Sequence, residues 1–396
     1  MKRLLCLLLL VCVSIPTLAQ DAAEPDLSQN AALRYWMAFE LLPENHAGYD
    51  QKGWNPEEVI GEWDTVDLEA HRREIEYYTR DSALEILHWA AELDSCLWSI
   101  NREAGPYTLL PHLHPMRRAS RLAMLSARLR LHDGDAFGAV EDIALVMKLS
   151  HAADGDLILI SQLVGLSIES MAVEWVAANL SAFDDASIAL LAEKMEALPA
   201  RPALSELIQG ERDVFLRWWE VRLQAAADGE LDAEMLEFLA NGLGIDHPVV
   251  RQIERDIEQW LAWTEDANAA YDAAGRVADL PYADYLEAIG QLEVGFDQTD
   301  NQVIALFMPS IVTVRSSHDK ALARRAMLRA MLAVRLDGED TDLADYPTMQ
   351  DPFGDGTFEP IAERRDDGMV YGLRSALIGR DGERVELLTD APLAGE

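Results

Sequence analysis

The stretch that most constrains the fold runs from residue 107 to residue 180, where two helical patterns meet at a short turn. Small and apolar residues recur at helical spacing on both sides of it, Ala119, Leu122, Ala123, Ser126 and Leu129 before the turn and Ala136, Ala139, Val140, Ile143, Met147 and Ser150 after it. Asp133, Gly134 and Asp135 supply the break, because glycine accepts a left-handed conformation and aspartate caps the next helix. The sequence therefore predicts a closely packed helical hairpin followed by a third, more apolar helix.

Helical periodicity continues along most of the chain, and strand signals occur only near the C-terminus. The helices come in pairs without a strict repeat, so the predicted fold class is mainly all-α, an irregular, tetratricopeptide-like array of helical hairpins. Residues 369–373 and 385–388 lie beside Asp-Gly turns and predict a small antiparallel β-element or a partly loose tail. Pro309 is expected to kink the last helix, predicted over residues 302–336. The predicted organisation is a signal peptide (1–19), a helical domain (20–336) and a small C-terminal β-rich or partly loose segment (337–396).

The N-terminus has the features of a secretory signal peptide. Lys2 and Arg3 precede an apolar run over residues 4–15, and residues 17–19 form a small-residue cleavage site. The apolar run is too short for a membrane span, and no later segment is a long uncharged apolar stretch. We therefore expect an exported protein, periplasmic or extracellular, with no integral membrane segment after signal removal. The mature chain then keeps Cys96 alone, which cannot form an internal disulfide.

The charge balance restricts the class of partner. The formal net charge is −37, from 70 acidic and 33 basic residues. Nucleic-acid binders carry basic patches, and anionic lipid surfaces attract basic segments, so the charge argues against both as partners. We expect the partner to be another protein or an envelope component.

Four segments together carry a resemblance to known sequences. They are residues 94–135 (DSCLWSINREAGPYTLLPHLHPMRRASRLAMLSARLRLHDGD), 160–169 (ISQLVGLSIE), 307–336 (FMPSIVTVRSSHDKALARRAMLRAMLAVRL) and 351–382 (DPFGDGTFEPIAERRDDGMVYGLRSALIGRDG). Together they resemble a group of uncharacterised secreted helical proteins of planctomycete-type bacteria. The resemblance implies a helical region, a further helix and a DPF-G ending, and it carries no established activity.

The ending by itself also resembles the C-terminal β-part of type II secretion pseudopilins. The matching residues are 351–354 (DPFG), Tyr371 and 379–382 (GRDG), although residues 373–378 lengthen the interval after the tyrosine and displace the expected serine. The chain shows no N-terminal pilin helix with its processing site, so pilin-like polymerisation is not expected. A role as a secretion-system accessory is a third functional possibility, suggested by this tail alone.

Two sets of residues are weak metal-ligand candidates. His112 and His114, in PHLHP, could offer two imidazoles, but no third ligand lies nearby in sequence, and packing of the loop on a helix is the alternative. Asp351, Asp355 and Asp381, in the acidic turns DPFGDG and GRDGE, could bind calcium. Asp-Gly is equally typical of tight turns, and EF-hand spacing is absent. We therefore predict no metal site and no cofactor.

Glu211 is the weak catalytic candidate. It lies in the middle of a helix predicted over residues 203–227, where a carboxylate on an apolar face could act as a general acid with a raised pKa. It could equally form an ion pair with Arg117, Arg118 or Arg121 between packed helices, and we favour that interpretation.

The other local patterns do not specify a catalytic centre. Ser317-x-x-Lys320 matches a serine-nucleophile motif whose usual partner motifs are missing, and a solvated helical turn explains it better. Glu85-x-x-His88 matches half of a di-iron motif without a second copy.

We therefore predict an exported, non-catalytic helical-repeat protein that presents an interaction surface to another protein or envelope component. Helices around residues 116–180 and 203–227 are expected to form that surface. The alternative is a periplasmic hydrolase acting on glycans or peptides, with Glu211 as general acid.

Overall fold

The computed structural model describes residues 29–43, 53–80, 82–228, 235, 237, 253, 255–337, 347–365 and 368–393. Within them the helices, numbered in chain order, are α1 (Ala31–Glu40), α2 (Pro56–Gly61), α3 (Arg72–Thr79), α4 (Ser82–Ala91), α5 (Leu113–His132), α6 (Ala136–Ala152), α7 (Leu159–Ala178), α8 (Asp185–Glu196), α9 (Leu204–Ala227), α10 (Ile257–Ala278), α11 (Tyr282–Asp297), α12 (Gln302–Phe307) and α13 (Ile311–Asp337). The strands are β1 (Glu359–Arg365), β2 (Gly368–Ile378) and β3 (Arg384–Thr389). The mainly helical class with a small C-terminal antiparallel β-element is confirmed. Tetratricopeptide-like stacking stays a prediction, and the predicted signal peptide lies outside the described residues.

The predicted helical hairpin is present as α5 and α6. Gly134 adopts the expected positive φ of 83°, and the Asp135 side chain accepts a hydrogen bond from the Gly138 amide at 2.9 Å, which caps α6. The small residues Ala119, Ala123 and Ala139 of the two helices are buried in one core, as the periodicity predicts, which is consistent with close packing of the hairpin.

Apolar side chains of the described residues form two separate cores. The first contains side chains of α1–α8, the C-terminal part of α13 and the sheet. The second contains Leu159 of α7 together with side chains of α9–α12 and the first turn of α13. Helix α13 belongs to both, because Ile311 and Val314 lie in the second core and Met327 and Met331 in the first.

A buried ion pair lies on α13 between its two apolar segments. Arg315 Nε and Asp319 Oδ1 are 2.7 Å apart, and both side chains are almost fully buried. The Arg315 guanidinium also lies over the ring of Tyr285, 4.7 Å from its centroid. The pair therefore provides a polar layer at the point where one helix leaves one core and enters the other.

The last helical stretch is divided more sharply than the sequence predicts. We expected one helix over residues 302–336 with a kink at Pro309, but α12 ends at Phe307 and α13 begins at Ile311. Proline has no amide hydrogen, and its ring clashes with the preceding helical turn, so the chain leaves the helix completely. The expectation of a continuous kinked helix is wrong.

The C-terminal sheet packs on the helices and has β2 as its central strand. Leu373, Leu377, Val385 and Leu387 point into the first core, which they share with α13. The sequence predicted parts of β2 and β3 but missed β1. Only Ile361 of the seven β1 residues is buried, so this strand has no apolar alternation to reveal it.

Candidate binding groove

Glu211 lies on α9 and points at the N-terminus of α7. It is half-buried, and its Oε2 atom accepts a hydrogen bond from the Leu159 amide at 3.3 Å. Burial raises the pKa of Glu211 to about 7, and the Leu159 bond opposes that shift only in part.

The expected arginine partner of Glu211 is not found. Arg118 pairs with Glu57 at 2.8 Å, and Arg212, next to Glu211 in sequence, pairs with Asp272 at 3.0 Å. Within the described ranges Glu211 has no ion pair, so the expected pairing with Arg117, Arg118 or Arg121 is not observed. Helical periodicity predicted that Glu211 would lie on an apolar face. It could not predict the contact with the N-terminus of α7, because that helix end lies far away in the sequence.

The two histidine candidates do not converge on a common point. His112 is buried, stacks on Trp98 with 4.4 Å between ring centroids, and has Nε2 2.8 Å from Asp156 Oδ2 without the alignment of a hydrogen bond. His114, in contrast, is exposed at the start of α5. The arrangement matches the packing of a loop on a helix better than a metal site.

The three aspartate candidates belong to turns. Asp351 is buried and accepts hydrogen bonds from Ser375 Oγ at 2.9 Å and from the Phe353 amide at 3.0 Å. Asp381 accepts from the Glu383 amide at 3.1 Å, and Asp355 is exposed. In the part of the chain that the structure describes, no group of three or more His, Cys, Asp or Glu side chains could hold a metal ion.

A surface groove of about 790 Å³ lies between α7 and α13. Its α7 wall is formed by Leu163, Leu166, Ser167, Ser170, Met171 and Glu174, whose spacing places them on one helix face. Its α13 wall is formed by Ser317, Lys320, Ala321 and Arg324, which also share a face. The small side chains of both walls leave room between the helices, and Trp63 and Trp175 add aromatic surface.

A second groove of about 600 Å³ lies between α13 and the β2–β3 hairpin and adjoins the first. Lys320 and Arg324 line both. We call the two parts together the α13 groove, with an α7 part and a β3 part. The charged residues of the β3 part are Lys320, Arg324, Arg365, Arg374, Arg384, Asp381, Glu383 and Glu386. Each of the four arginines is paired with at least one glutamate, so Lys320 is the one lining cation without an ion pair among the described residues.

The cations of the groove differ in their availability. Arg374 bonds Glu363 at 2.8 Å and Glu386 at 2.7 Å, and these bonds raise its pKa above the ordinary arginine value. Arg324 pairs with Glu174 across the α7 part. Lys320 is half-buried and has no hydrogen bond or ion pair with any described residue. Its ammonium is therefore the cation best able to accept an anionic partner.

A buried ion network fixes the positions of the two groove helices. Arg201 bonds Glu169 on α7 at 2.6 Å and Asp154 at 2.5 Å, and Arg325 on α13 lies 3.2 Å from Glu169. Burial would raise the pKa of Glu169, but the guanidinium groups of Arg201 and Arg325 outweigh it and hold that pKa below its ordinary value. Burial raises the pKa of Asp154 to about 6 against the opposing effect of Arg201. The groove walls are therefore joined by charges that are costly to separate.

Sequence reasoning found Lys320 only as part of a motif. Ser317 Oγ donates to the Thr313 carbonyl at 3.0 Å, so its hydroxyl is used within the helix, and the structure gives no contact between it and Lys320. Ser167 and Ser170 lie on one face of α7, the most apolar of the described helices. Two polar residues at this spacing are the sequence signal that could have shown that this face borders a groove instead of the core.

By length and composition α7 could cross a membrane, although 61% of its most apolar window is buried inside the fold. It is the one helix of the described residues with that property. No protein-family model matches the chain, and no curated protein or solved structure matches it.

Proposed function

We propose that this chain is an exported, non-catalytic protein that holds a segment of another protein or envelope component in the α13 groove. The observation that carries the proposal is that Lys320, a cation without a described partner, lines both parts of the groove. The α7 part lies within the helices around residues 116–180 that we expected to form the surface, whereas α9 does not line it. An open groove with aromatic, small and charged side chains suits a partner that lies along the surface.

The hydrolase alternative has less support. Glu211 has the raised pKa that a general acid needs, but it lines neither part of the α13 groove. Its carboxyl group instead contacts the first residue of α7. Its raised pKa is thus accounted for by burial between helices.

Photo-crosslinking in the cells that produce the protein tests the proposal. A benzophenone side chain at Ser170, inside the groove, is expected to give a discrete adduct, and the same group at exposed Gln224 on α9 is the matched control. Lys320→Glu is expected to suppress the Ser170 adduct, because it reverses the charge of the available cation. Equal adducts from both positions, or an adduct that Lys320→Glu leaves unchanged, would overturn the proposal.

The exported location is tested separately. Signal removal after Ala19 predicts a mature chain that begins at Gln20. Intact-mass measurement of protein recovered outside the cytoplasm checks this. Recovery of the full-length chain from the cytoplasm alone would contradict export. The crosslinking experiment would then still test binding in the groove.

A further inference from the structure

The connection between α6 and α7, residues 153–158, contains a strained residue. Leu157 has a positive φ of 51°, a left-handed conformation that a bulky side chain rarely adopts. Its amide donates to the Asp154 carbonyl at 3.0 Å, which closes a tight turn. A strained conformation of this kind persists only where the surrounding structure holds it in place. The contacts that hold it from outside the connection come from α9.

Helix α9 contacts the connection through two consecutive residues. At Gly210 the helix passes so close to Leu157 that a Cβ on the glycine would overlap the Leu157 carbonyl oxygen. The next residue, Glu211, accepts a hydrogen bond from the Leu159 amide through its Oε2 atom at 3.3 Å. The Leu159 side chain is buried in the second core. The strained connection and the first residue of α7 are therefore both held against α9.

Glu211 is poorly suited to carry a charge in this position. Arg212 is occupied by Asp272 at 3.0 Å, and Tyr271, which faces Glu211 from α10, stays neutral because burial raises its pKa further. The Leu159 amide and the positive end of α7 favour an ionised carboxylate, but burial outweighs them and raises the pKa of Glu211 to about 7. A neutral carboxyl group makes the contact at acidic pH, whereas a charged one must stay desolvated to keep it at alkaline pH.

We propose that Gly210 and Glu211 form a pH-dependent clamp, which holds the strained connection against α9 while Glu211 is protonated and releases it when Glu211 ionises. Release lets the carboxylate reach water and lets Leu157 leave its left-handed conformation. The cost of burying a charge and the backbone strain therefore favour opening together. Opening frees the connection and the first turn of α7 from α9.

A buried ion network confines this release to the start of α7. Arg201, just before α9, bonds Asp154 at the beginning of the connection and Glu169 in the middle of α7. These bonds hold the chain on both sides of Leu157, so the clamp opens locally and the two cores stay assembled. Burial raises the pKa of Asp154 to about 6. Because this carboxyl group titrates over the same range, the experiment has to separate it from Glu211.

Hydrogen exchange of the full chain tests the clamp. Protection factors of residues 159–163, corrected for the intrinsic exchange rate at each pH, are expected to fall between about pH 5.5 and about pH 8. The fall is at most about thirtyfold, because the pKa of Glu211 is about 7 in the closed form and near 4.5 once the group reaches water. Glu211→Gln should remove the fall, since its amide oxygen can accept the same bond without a charge. Asp213→Asn, at an exposed position of the same helix, should leave the fall unchanged.

Amides in the middle of α5 separate local opening from unfolding. Residues 122–125 are fully buried in the first core, so they should exchange more slowly than residues 159–163 throughout the pH range. Equal rates with equal pH dependence in the two segments would mean that only unfolding responds to Glu211. A fall that persists in Glu211→Gln would assign the effect to another group such as Asp154. Either result, or constant protection of residues 159–163 in the parent, overturns the clamp.

Gly210→Ala tests the geometric half of the clamp without changing any charge. Its Cβ would strike the Leu157 carbonyl, so the variant should lose protection at residues 159–163 already at about pH 5.5, where Glu211 is protonated. Retained protection of residues 122–125 shows that the variant is folded. Unchanged protection of residues 159–163 in Gly210→Ala would show that close contact with α9 does not hold the connection, and would overturn the inference.

Discussion

At the scale of single residues, Asp351 shows how a candidate ligand can serve the fold instead. Its carboxylate receives the Ser375 hydroxyl and the Phe353 and Ala376 amides, so it ties the turn before β1 to the central strand β2. The sequence placed this aspartate correctly in a turn. The sequence could not show that Ser375, whose hydroxyl donates to the Asp351 carboxylate, would lie beside that aspartate, because the contact depends on the register of the sheet.

We expect Asp351→Ala to lower the free energy of unfolding by about 2–4 kcal/mol, because it leaves buried donors without an acceptor. Chemical denaturation measures the change. Asp355→Ala, in the same turn but exposed, should change stability by no more than about 0.5 kcal/mol. Equal effects of the two substitutions would show that the Asp351 hydrogen bonds do not stabilise the sheet.

Glu211 predicts a pH dependence of stability. Its pKa rises from 4.5 to about 7 on folding, so the folded state holds a proton that the unfolded state releases between these values. Its stabilising contribution is complete below about pH 4.5 and is lost as the pH rises through about 7. The loss amounts to at most about 3 kcal/mol, because one pKa unit corresponds to about 1.4 kcal/mol.

Glu211→Gln should remove this contribution to the pH dependence. The variant is expected to match the parent near pH 4.5 and to exceed it in stability at pH 8, where the parent holds a half-buried carboxylate. Denaturation midpoints over that range measure the difference. Asp213→Asn, at an exposed position of the same helix, is the control; if it reproduces the effect, the assignment to Glu211 is wrong.

At the scale of elements, the sequence predicted what local periodicity determines. The hairpin of α5 and α6 follows from apolar spacing and the Asp-Gly-Asp turn, all within one short stretch. The α13 groove does not follow from any local pattern, because its walls come from α7, α13 and the β2–β3 hairpin. Residues such as Ser167, Lys320 and Arg384 become neighbours only through tertiary packing.

Two glycines inside helices have different roles. One is needed because a side chain would clash with a neighbouring helix, and the other only lowers the stability of its own helix. A Cβ at Gly165 on α7 would lie 2.4 Å from the Ser150 carbonyl oxygen, whereas a Cβ at Gly290 on α11 would meet no atom within 4 Å. Gly165→Ala should therefore force α6 and α7 apart and cost about 1–3 kcal/mol. Gly290→Ala should stabilise by about 0.5–1 kcal/mol, because alanine has the higher helix propensity.

Thermal and chemical unfolding of the two alanine variants check this pair. The same direction of change in both would contradict the close crossing of α6 and α7. Since both substitutions add one methyl group to a helix, differences in composition and in helix propensity cancel between them.

At the scale of the whole molecule, the net charge of −37 should make stability depend on salt. Surface ion pairs such as Arg72 with Asp133 are screened by water and contribute little to stability, whereas repulsion among the excess carboxylates acts over the entire surface. Screening of that repulsion should dominate, so added sodium chloride is expected to raise Tm by a few degrees. A Tm that falls between low salt and about 0.5 M would show that attractive pairs outweigh the repulsion.

The shared helix α13 also sets the order in which the chain can acquire its structure during synthesis. The first core begins with Ala31, yet side chains such as Met327 and Met331 that fill it are made only after those of α9–α12. The second core likewise takes Ile311 and Val314 from the start of the same helix. Most of the polypeptide must therefore be synthesised before either core can be completed. Until then the early helices expose apolar faces that chaperones can hold, and a fragment that stops before α13 lacks part of both cores.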